Sequence, residues 1–438
     1  MTTTGPAQRR APYGANPHLG HNGNRARSEI LAAAREVFAE IGYHGVTVDV
    51  IAQRAGRSGP AVYQYFENKE AIFRIFVDEL GTDLIAHATT MDDMTGGHGL
   101  DAMRRFVDGL SSLFRKHRVT AIEWPSAEAT GHQLLTPAEA FLRRFAAVAS
   151  PHLGLADSAD QLPLRSLPMA MLSIVQWAEY TREAWGPRQS QRRLNDSLAR
   201  LFYRVISRGN AVRAAMPVTN TPTTGPTMAL LSDHVFPTMG LRRPVTRRSR
   251  PMVERILQAA SQEFARKGYA GASIQQIAEQ AGVGKPNVYT YWTDREALFS
   301  TLADAASAAL RTVLSYDLEV EVLRAADGGR HWLDEWIDLV VQHGAILHIW
   351  THEHLDNPTL GELAEQMTIF VNSNLTALVP GRQPKGYDPA PILLWALLIE
   401  FPYTMSVQLP ELERDELREL LQLMIHYGLP AIRSDIAS

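Results

Sequence analysis

The chain has 438 residues, 45% of them hydrophobic, enough to bury more than one core, so length alone points to two or three domains. It has no cysteine, which excludes a disulfide framework and a thiolate metal site. The formal net charge is −4, but residues 1–80 hold nine Lys or Arg against eight acids and residues 241–299 hold ten against five, leaving −10 elsewhere; a polyanion would be met at those two regions.

The opening MTTTGPAQRR lacks the apolar core of a signal peptide, and residues 1–26, rich in Gly, Pro, Asn, Arg and His without periodicity, read as a disordered arm. From Glu29 an amphipathic helix is expected, with Ile30, Ala34, Val37, Phe38 and Ile41 on one face. It should stop at Gly42, a residue suited to a left-handed end, with Tyr43 folding back on the last turn. Thr47 fits the N-cap of a short second helix carrying Val48, Ile51, Ala52 and Ala55. Gly56 breaks that helix. Ser58 is placed to cap a third one with Pro60 in its first turn, Val62 and Phe66 inward, and Ala61, Tyr63 and Gln64 outward. Asn68 caps a fourth from Lys69. Two short helices joined by a tight glycine turn, the second exposing polar and aromatic residues, describe a helix-turn-helix.

The same pattern returns 226 positions later without a gap: GRSGPAVYQYFENKEAIF at 56–73 becomes GVGKPNVYTYWTDREALF at 282–299. Identities include Ile30/Ile256, Phe38/Phe264, Gly42/Gly268, Tyr43/Tyr269, Ile51/Ile277, Gly56/Gly282, Pro60/Pro286, Val62/Val288, Tyr63/Tyr289, Tyr65/Tyr291 and Phe73/Phe299. In the second copy Ser273 and Gln276 have capping-box spacing, and Asp294 takes the place of Asn68.

Helical spacing continues after each unit: Leu100 to Phe114, a capping box at Thr136–Glu139, and helices near 164–185 and 189–211, then near 331–347, 358–377, 389–407 and 411–427. Trp124 and Trp350 keep the 226 offset, which extends the duplication past the repeated units. No strand-like alternation occurs, so the fold class is all-α. The longest apolar run, PILLWALLI at 391–399, ends at Glu400, short of a membrane span. Five prolines with Thr and Gly make 214–250 a linker, ending in RRPVTRRSR. The expected division is an arm (1–26), a first helix-turn-helix unit (27–75), a first helical domain (76–213), the linker, a second helix-turn-helix unit (251–301) and a second helical domain (302–438).

Over about fifty residues in each copy, the spacing from Gly42 through Thr47, Ala52, Gly56, Tyr63, Tyr65, Phe66, Lys69 and Glu70 resembles the DNA-binding domain of the tetracycline-repressor (TetR) family. With neither a signal-peptide core nor a membrane span, a soluble, cytoplasmic protein is expected, and the resemblance implies a ligand-responsive regulator of transcription, a repressor by preference, with no cofactor and no catalysis. Its partners would be a double-stranded DNA operator and a small, largely apolar effector. TetR-family proteins are homodimers, so a chain with two units is expected to form an intramolecular pseudo-dimer through a four-helix bundle, with room for whole chains to pair further.

The outward residues differ between copies: Gly59, Ala61 and Gln64 in one, Lys285, Asn287 and Thr290 in the other. Gln64 and Asn287 suit bidentate pairing with adenine and Ala61 suits a thymine methyl, which makes an asymmetric operator the expectation. The recognition segments are completed by Ser58 and Pro60 and by Gly284 and Pro286. By the family pattern, Thr47 and Ser273, Tyr63 and Tyr289, Tyr65 and Tyr291, and Lys69 and Arg295 hold phosphates. The family commonly has lysine where Gly59 stands, which weakens the first unit's expected grip. Arg247 and Arg248 either follow DNA as a basic arm or form a solvated linker end.

The resemblance also implies an apolar effector cavity in each half. Candidate lining residues are Trp124, Met171, Trp177 and Tyr180 in the first, and His348, Trp350, Trp395 and Tyr403 in the second; core packing is the plainer reading of each. Two other functions stand beside this one. HIWTHEHLD places His348 and His352 four apart, with Glu353 and His354 adjacent, a spacing used in zinc sites though not HExxH. An interaction protein whose helix-turn-helix units no longer bind DNA is the other.

Overall fold

A computed structural model of the chain describes residues 21–94, 96–128, 135–155, 164–185, 190–212, 240–352, 358–379, 388–408 and 412–435. Every regular element among these is helical, and the fold is all-α. The first half runs α1 (His21–Gly45), α2 (Val48–Arg54), α3 (Gly59–Tyr63), α4 (Lys69–Thr89), α5 (Gly99–Lys116), α6 (Arg118–Glu128), α7 (Leu135–Ala149), α8 (Leu167–Ala184) and α9 (Gln191–Val212). The second runs α10 (Arg250–Gly271), α11 (Ile274–Gln280), α12 (Lys285–Tyr291), α13 (Arg295–Val313), α14 (Arg330–His352), α15 (Pro358–Leu375), α16 (Ala390–Trp395), α17 (Phe401–Gln408) and α18 (Arg414–Leu423). π-helical turns at Ala396–Glu400 and Met424–Gly428 join α16 to α17 and extend α18.

The glycines break both heads where expected, but Gly42 does not adopt the left-handed helical conformation expected of it. Gly42 (φ 66°, ψ 167°) and Gly268 (φ 65°, ψ −179°) break the first helix of each head in a backbone region open essentially to glycine alone, extended in ψ rather than left-handed helical. The tyrosine that follows folds back, Tyr43 stacking on Phe38 with centroids 5.9 Å apart and Tyr269 on Phe264 at 6.1 Å. Gly56 and Gly282, both at positive φ, close α2 and α11 so that Arg57 N–H reaches the Ala52 carbonyl at 2.9 Å and Val283 N–H reaches Ala278 at 3.0 Å. Thr47, Asn68, Ser273 and Asp294 each accept a backbone N–H at a helix start.

Three local expectations need correction. α1 begins at His21, ahead of Glu29, its opening steadied by the Arg25–Glu29 pair four residues apart. Ser58 occupies the cap position of α3 but its side chain makes no capping bond. Gln276 does not reach back to the Ser273 backbone, because its Oε1 accepts the Ser273 hydroxyl at 3.0 Å and the Lys267 ammonium at 2.6 Å. The side chains of Thr136–Glu139 and most of the linker lie outside the described residues, and the linker's last part, from Gly240, is an ordered turn leading into α10.

The duplication continues into the bodies with differences between the halves. In the first half the chain breaks between α5 and α6 at His117; in the second, α14 runs through the equivalent His343 without interruption. α8 packs against α16, α17 and the Ala396–Glu400 turn, while α9 packs along Met424–Gly428 and the 3₁₀ segment Leu429–Asp435. Apolar residues of both bodies form one continuous core that takes in the second head, from Val253 to Phe299. The first head has a core of its own, Ile30 to Phe76. The stretch Ala390–Val407 is long and apolar enough by composition to cross a membrane, contrary to the expectation that Glu400 cuts the run short; 78% of it is buried inside the protein, so core packing accounts for its composition.

Candidate nucleic-acid interface

Short helices α3 and α12 are each anchored by one fully buried valine, Val62 and Val288, which turns the intervening residues to the surface. Tyr63 is 50% exposed and Tyr289 39%, and Gln64, Lys285, Asn287 and Thr290 are exposed with them. Ala61 and Gly59 are half-buried. The Thr290 hydroxyl is turned back onto the Pro286 carbonyl at 3.0 Å, which leaves Asn287 as the freer hydrogen-bonding group of α12. Pro60, Gly284 and Pro286 are exposed in the first turns of these helices, and Thr47 and Ser273 stand at the starts of α2 and α11.

A Cβ at Gly59 would meet the carboxylate end of Asp49 on α2, an exposed side chain that can turn aside, so a lysine there would lie beside an acid. The second head has Gln275 opposite Lys285 at the same two places. Lys285 keeps its ammonium 5.8 Å from the Tyr289 ring, so cation and ring form one exposed patch.

Several residues expected on this surface are drawn inward. Tyr291 is 5% exposed, with its ring 5.8 Å from that of buried Trp292, and belongs to the core of the second head; Tyr65 is half-buried. Lys69 donates to the Tyr43 carbonyl at 2.7 Å and lies 4.5 Å from the Tyr43 ring centroid. Burial lowers its pKa against the opposing pull of Glu70 and Glu123. Arg295 repeats the arrangement, donating to the Ala272 carbonyl at 3.1 Å over the Tyr269 ring. Both cations satisfy carbonyls at the turn after the first helix, and a phosphate would have to compete for them.

The heads differ in how they are tied together and to the body. In the first, Arg54 pairs with Glu40 and Glu36 and Arg57 with Glu29; in the second, Gln280 donates to Gln262 at 2.5 Å. α6 packs against α1 and α4 of the first head and against α10 of the second. Its Glu123 accepts the Tyr43 backbone N–H at 2.7 Å. Burial raises the pKa of this carboxyl, against the effects of that N–H and of Lys69. The equivalent position in the second half is Ile349, a contact that sequence reading missed because nothing local marks Glu123.

Most of the candidate effector residues meet in one cluster at the boundary between the halves, not in two separate cavities. Trp177 of α8 donates its indole N–H to Thr404 Oγ1 at 2.7 Å and stands edge-on to His348, centroids 4.9 Å apart. His348 Nδ1 lies 2.9 Å from Glu400 Oε2, and Trp395 donates to the other oxygen of Glu400 at 3.1 Å. Tyr403 is 5.6 Å from His348 and Tyr180 is 5.8 Å from Trp177. The Tyr180 hydroxyl and the Trp350 indole N–H are buried without a partner among the described residues, and burial pushes the Tyr180 pKa well up. Met171 is buried on α8, while the Trp124 side chain lies outside the described residues. For the zinc alternative, His348 is engaged by Glu400, the His352 side chain, Glu353 and His354 lie outside the described residues, and no group of three ligating side chains occurs among those described.

Residues 30–74 and 256–302 each match the model of bacterial regulatory proteins, tetR family. An HTH-type transcriptional repressor of Streptomyces coelicolor is 29% identical over 166 residues, 80% of its own length but 36% of this chain. The HTH-type transcriptional activator FasR of Mycolicibacterium smegmatis is 42% identical over 67 residues, and the class C tetracycline repressor of Escherichia coli 30% over 90. These two matches span 29% and 38% of those relatives and 14% and 20% of this chain. These similar proteins are named as repressors or an activator of transcription.

Proposed function

This chain carries the tetR-family regulatory domain twice in tandem, and we propose that it works as a cytoplasmic, ligand-responsive transcriptional repressor built as an intramolecular pseudo-dimer. The observation that carries the reading is the pair of surface helices α3 and α12, each seated on one buried valine, whose exposed faces differ. In helix-turn-helix dimers two such helices enter successive major grooves about 34–36 Å apart. With Gln64 on one and Lys285 and Asn287 on the other, the operator has two unlike half-sites. The packing of α8 and α9 against the last helices of the second half, over one shared core, supports the pseudo-dimer.

The effector is a small, largely apolar molecule received at the aromatic cluster around Trp177 and His348, where a shared site would sense the relation of the two halves directly. It releases DNA only by binding the released arrangement more tightly than the bound one. Repression follows the Streptomyces and tetracycline relatives, whereas FasR is named an activator.

Selecting bound sequences from a random DNA pool tests the reading. Recovery of an asymmetric site, bound more tightly than a palindrome of either half, supports it; equal binding of all three overturns the two-headed mode. Asp49 beside Gly59 favours one alternative, a first head specialised for contacts other than DNA. No affinity for any duplex at low salt would decide for an interaction protein.

A further inference from the structure

The linker end is a built part of the second head. Gly240, at φ 78°, lies so close to α13 that a Cβ would collide with the Ala297 carbonyl. Arg242 N–H then donates to the Tyr291 carbonyl at 2.8 Å, and its guanidinium reaches the Tyr289 carbonyl at 3.4 Å, so the segment is clasped to the last turn of α12. Leu241 and Val245 pack on the core, and Thr246 with Ser249 closes the turn into α10. Arg243, Arg247 and Arg248 are left exposed, and no hydrogen bond or ion pair to them occurs among the described residues. Residues 253–301 hold as many acids as bases, so this segment supplies the head's positive charge. At the 226 offset the first head has Asn16, Pro17, His21, Asn22 and Asn24 in place of Arg242, Arg243, Arg247, Arg248 and Arg250.

We infer that residues 240–248 form a docked basic arm that grips the sugar-phosphate backbone of the duplex flanking the second half-site, making the footprint longer at that end. The occupant is DNA because the arm is hydrogen-bonded to the end of α12, carries three unengaged arginines, and is held in place by contacts that leave them free. Preordering matters: a clasped arm gives up less conformational freedom on binding than a free linker.

This inference rests on the reading of the chain as a DNA-binding regulator, and the experiment separates the two. Hydroxyl-radical footprints of the full chain on its selected operator are compared with those of Arg243→Ala/Arg247→Ala/Arg248→Ala, which leaves the docking contacts intact. The expected result is protection beyond the second half-site, lost in the variant while both half-sites stay protected, with the salt slope of log K falling by up to about 2.7 at about 0.9 per phosphate. A Gly240→Val variant, which undocks the arm but keeps its charges, should lose the flank as well. An unchanged footprint and slope in the triple variant would overturn the arm while leaving the regulator standing. Absence of any protection by the wild type overturns both.

Discussion

The backbone N–H of Tyr43 donates to Oε2 of Glu123 at 2.7 Å, joining the end of α1 to α6 across 80 positions of sequence. Tyr43 is also held at its carbonyl by Lys69 and at its hydroxyl by Glu70, 3.3 Å away. The first head has its own core, this contact ties it to the body by a polar group, and Ile349 stands at the equivalent position of the second half. Glu123→Ala should loosen the first head by about 1–3 kcal/mol, the usual effect of leaving a buried N–H unpaired, seen as faster hydrogen exchange in α1 to α3 and not in α10 to α12. Equal protection in both heads would remove the tie from the account. The raised Glu123 pKa means the native state holds its proton more readily than the unfolded one. Its contribution is therefore fullest below the ordinary carboxylate range and declines as pH rises through the raised value, a slope that Glu123→Gln abolishes.

Gln64→Ala and Asn287→Ala should each relax preference in one half-site and leave the other unchanged. The expected loss of discrimination is about 1–3 kcal/mol per substitution, read from competition binding with single base-pair changes. A uniform loss across all sequences would instead place these side chains on phosphates.

Gly59→Lys alone should gain little, because the neighbouring Asp49 carboxylate is placed to pair with the new ammonium and to repel the phosphate. Coupled with Asp49→Gln it recreates the Gln275 and Lys285 pair of the second head, and the salt slope of operator binding should steepen by about 0.9. Identical slopes for the double variant and the wild type would show that the first head does not lie on DNA.

His343 lies buried in α14, and burial alone depresses its pKa to about 4. Because the folded value is below the unfolded one, the neutral imidazole contributes stability above about pH 6.5 that is lost as pH falls toward 4, on the order of 3 kcal/mol in full. Denaturant unfolding between pH 7 and 4 should show this slope, and His343→Leu should flatten it. An unaltered slope in the variant would assign the acid sensitivity to carboxylates.

Much of each head was legible because its determinants are local. A glycine at positive φ, a capping side chain three residues before the N–H it accepts, and valine and phenylalanine at helical spacing act within one or two turns, and the ungapped repeat stated them twice. The outward positions of Tyr63, Gln64, Lys285, Asn287, Tyr289 and Thr290 agree with the same periodicity, whereas Tyr65, Tyr291, Lys69 and Arg295 are drawn inward, Tyr291 by how Trp292 packs.

What only the tertiary structure decided rests on contacts with no local trace. Trp177 meets Thr404 across 227 positions, turning residues expected in two cavities into one cluster. Glu123 finds a backbone amide of a different domain, and the linker's arginines are held open by a clasp that composition does not specify. Sequence periodicity tells a helix which side to bury, because that choice is made residue by residue along one axis; it carries no term for which other surface will cover that side, and the packing of one half on the other arises there.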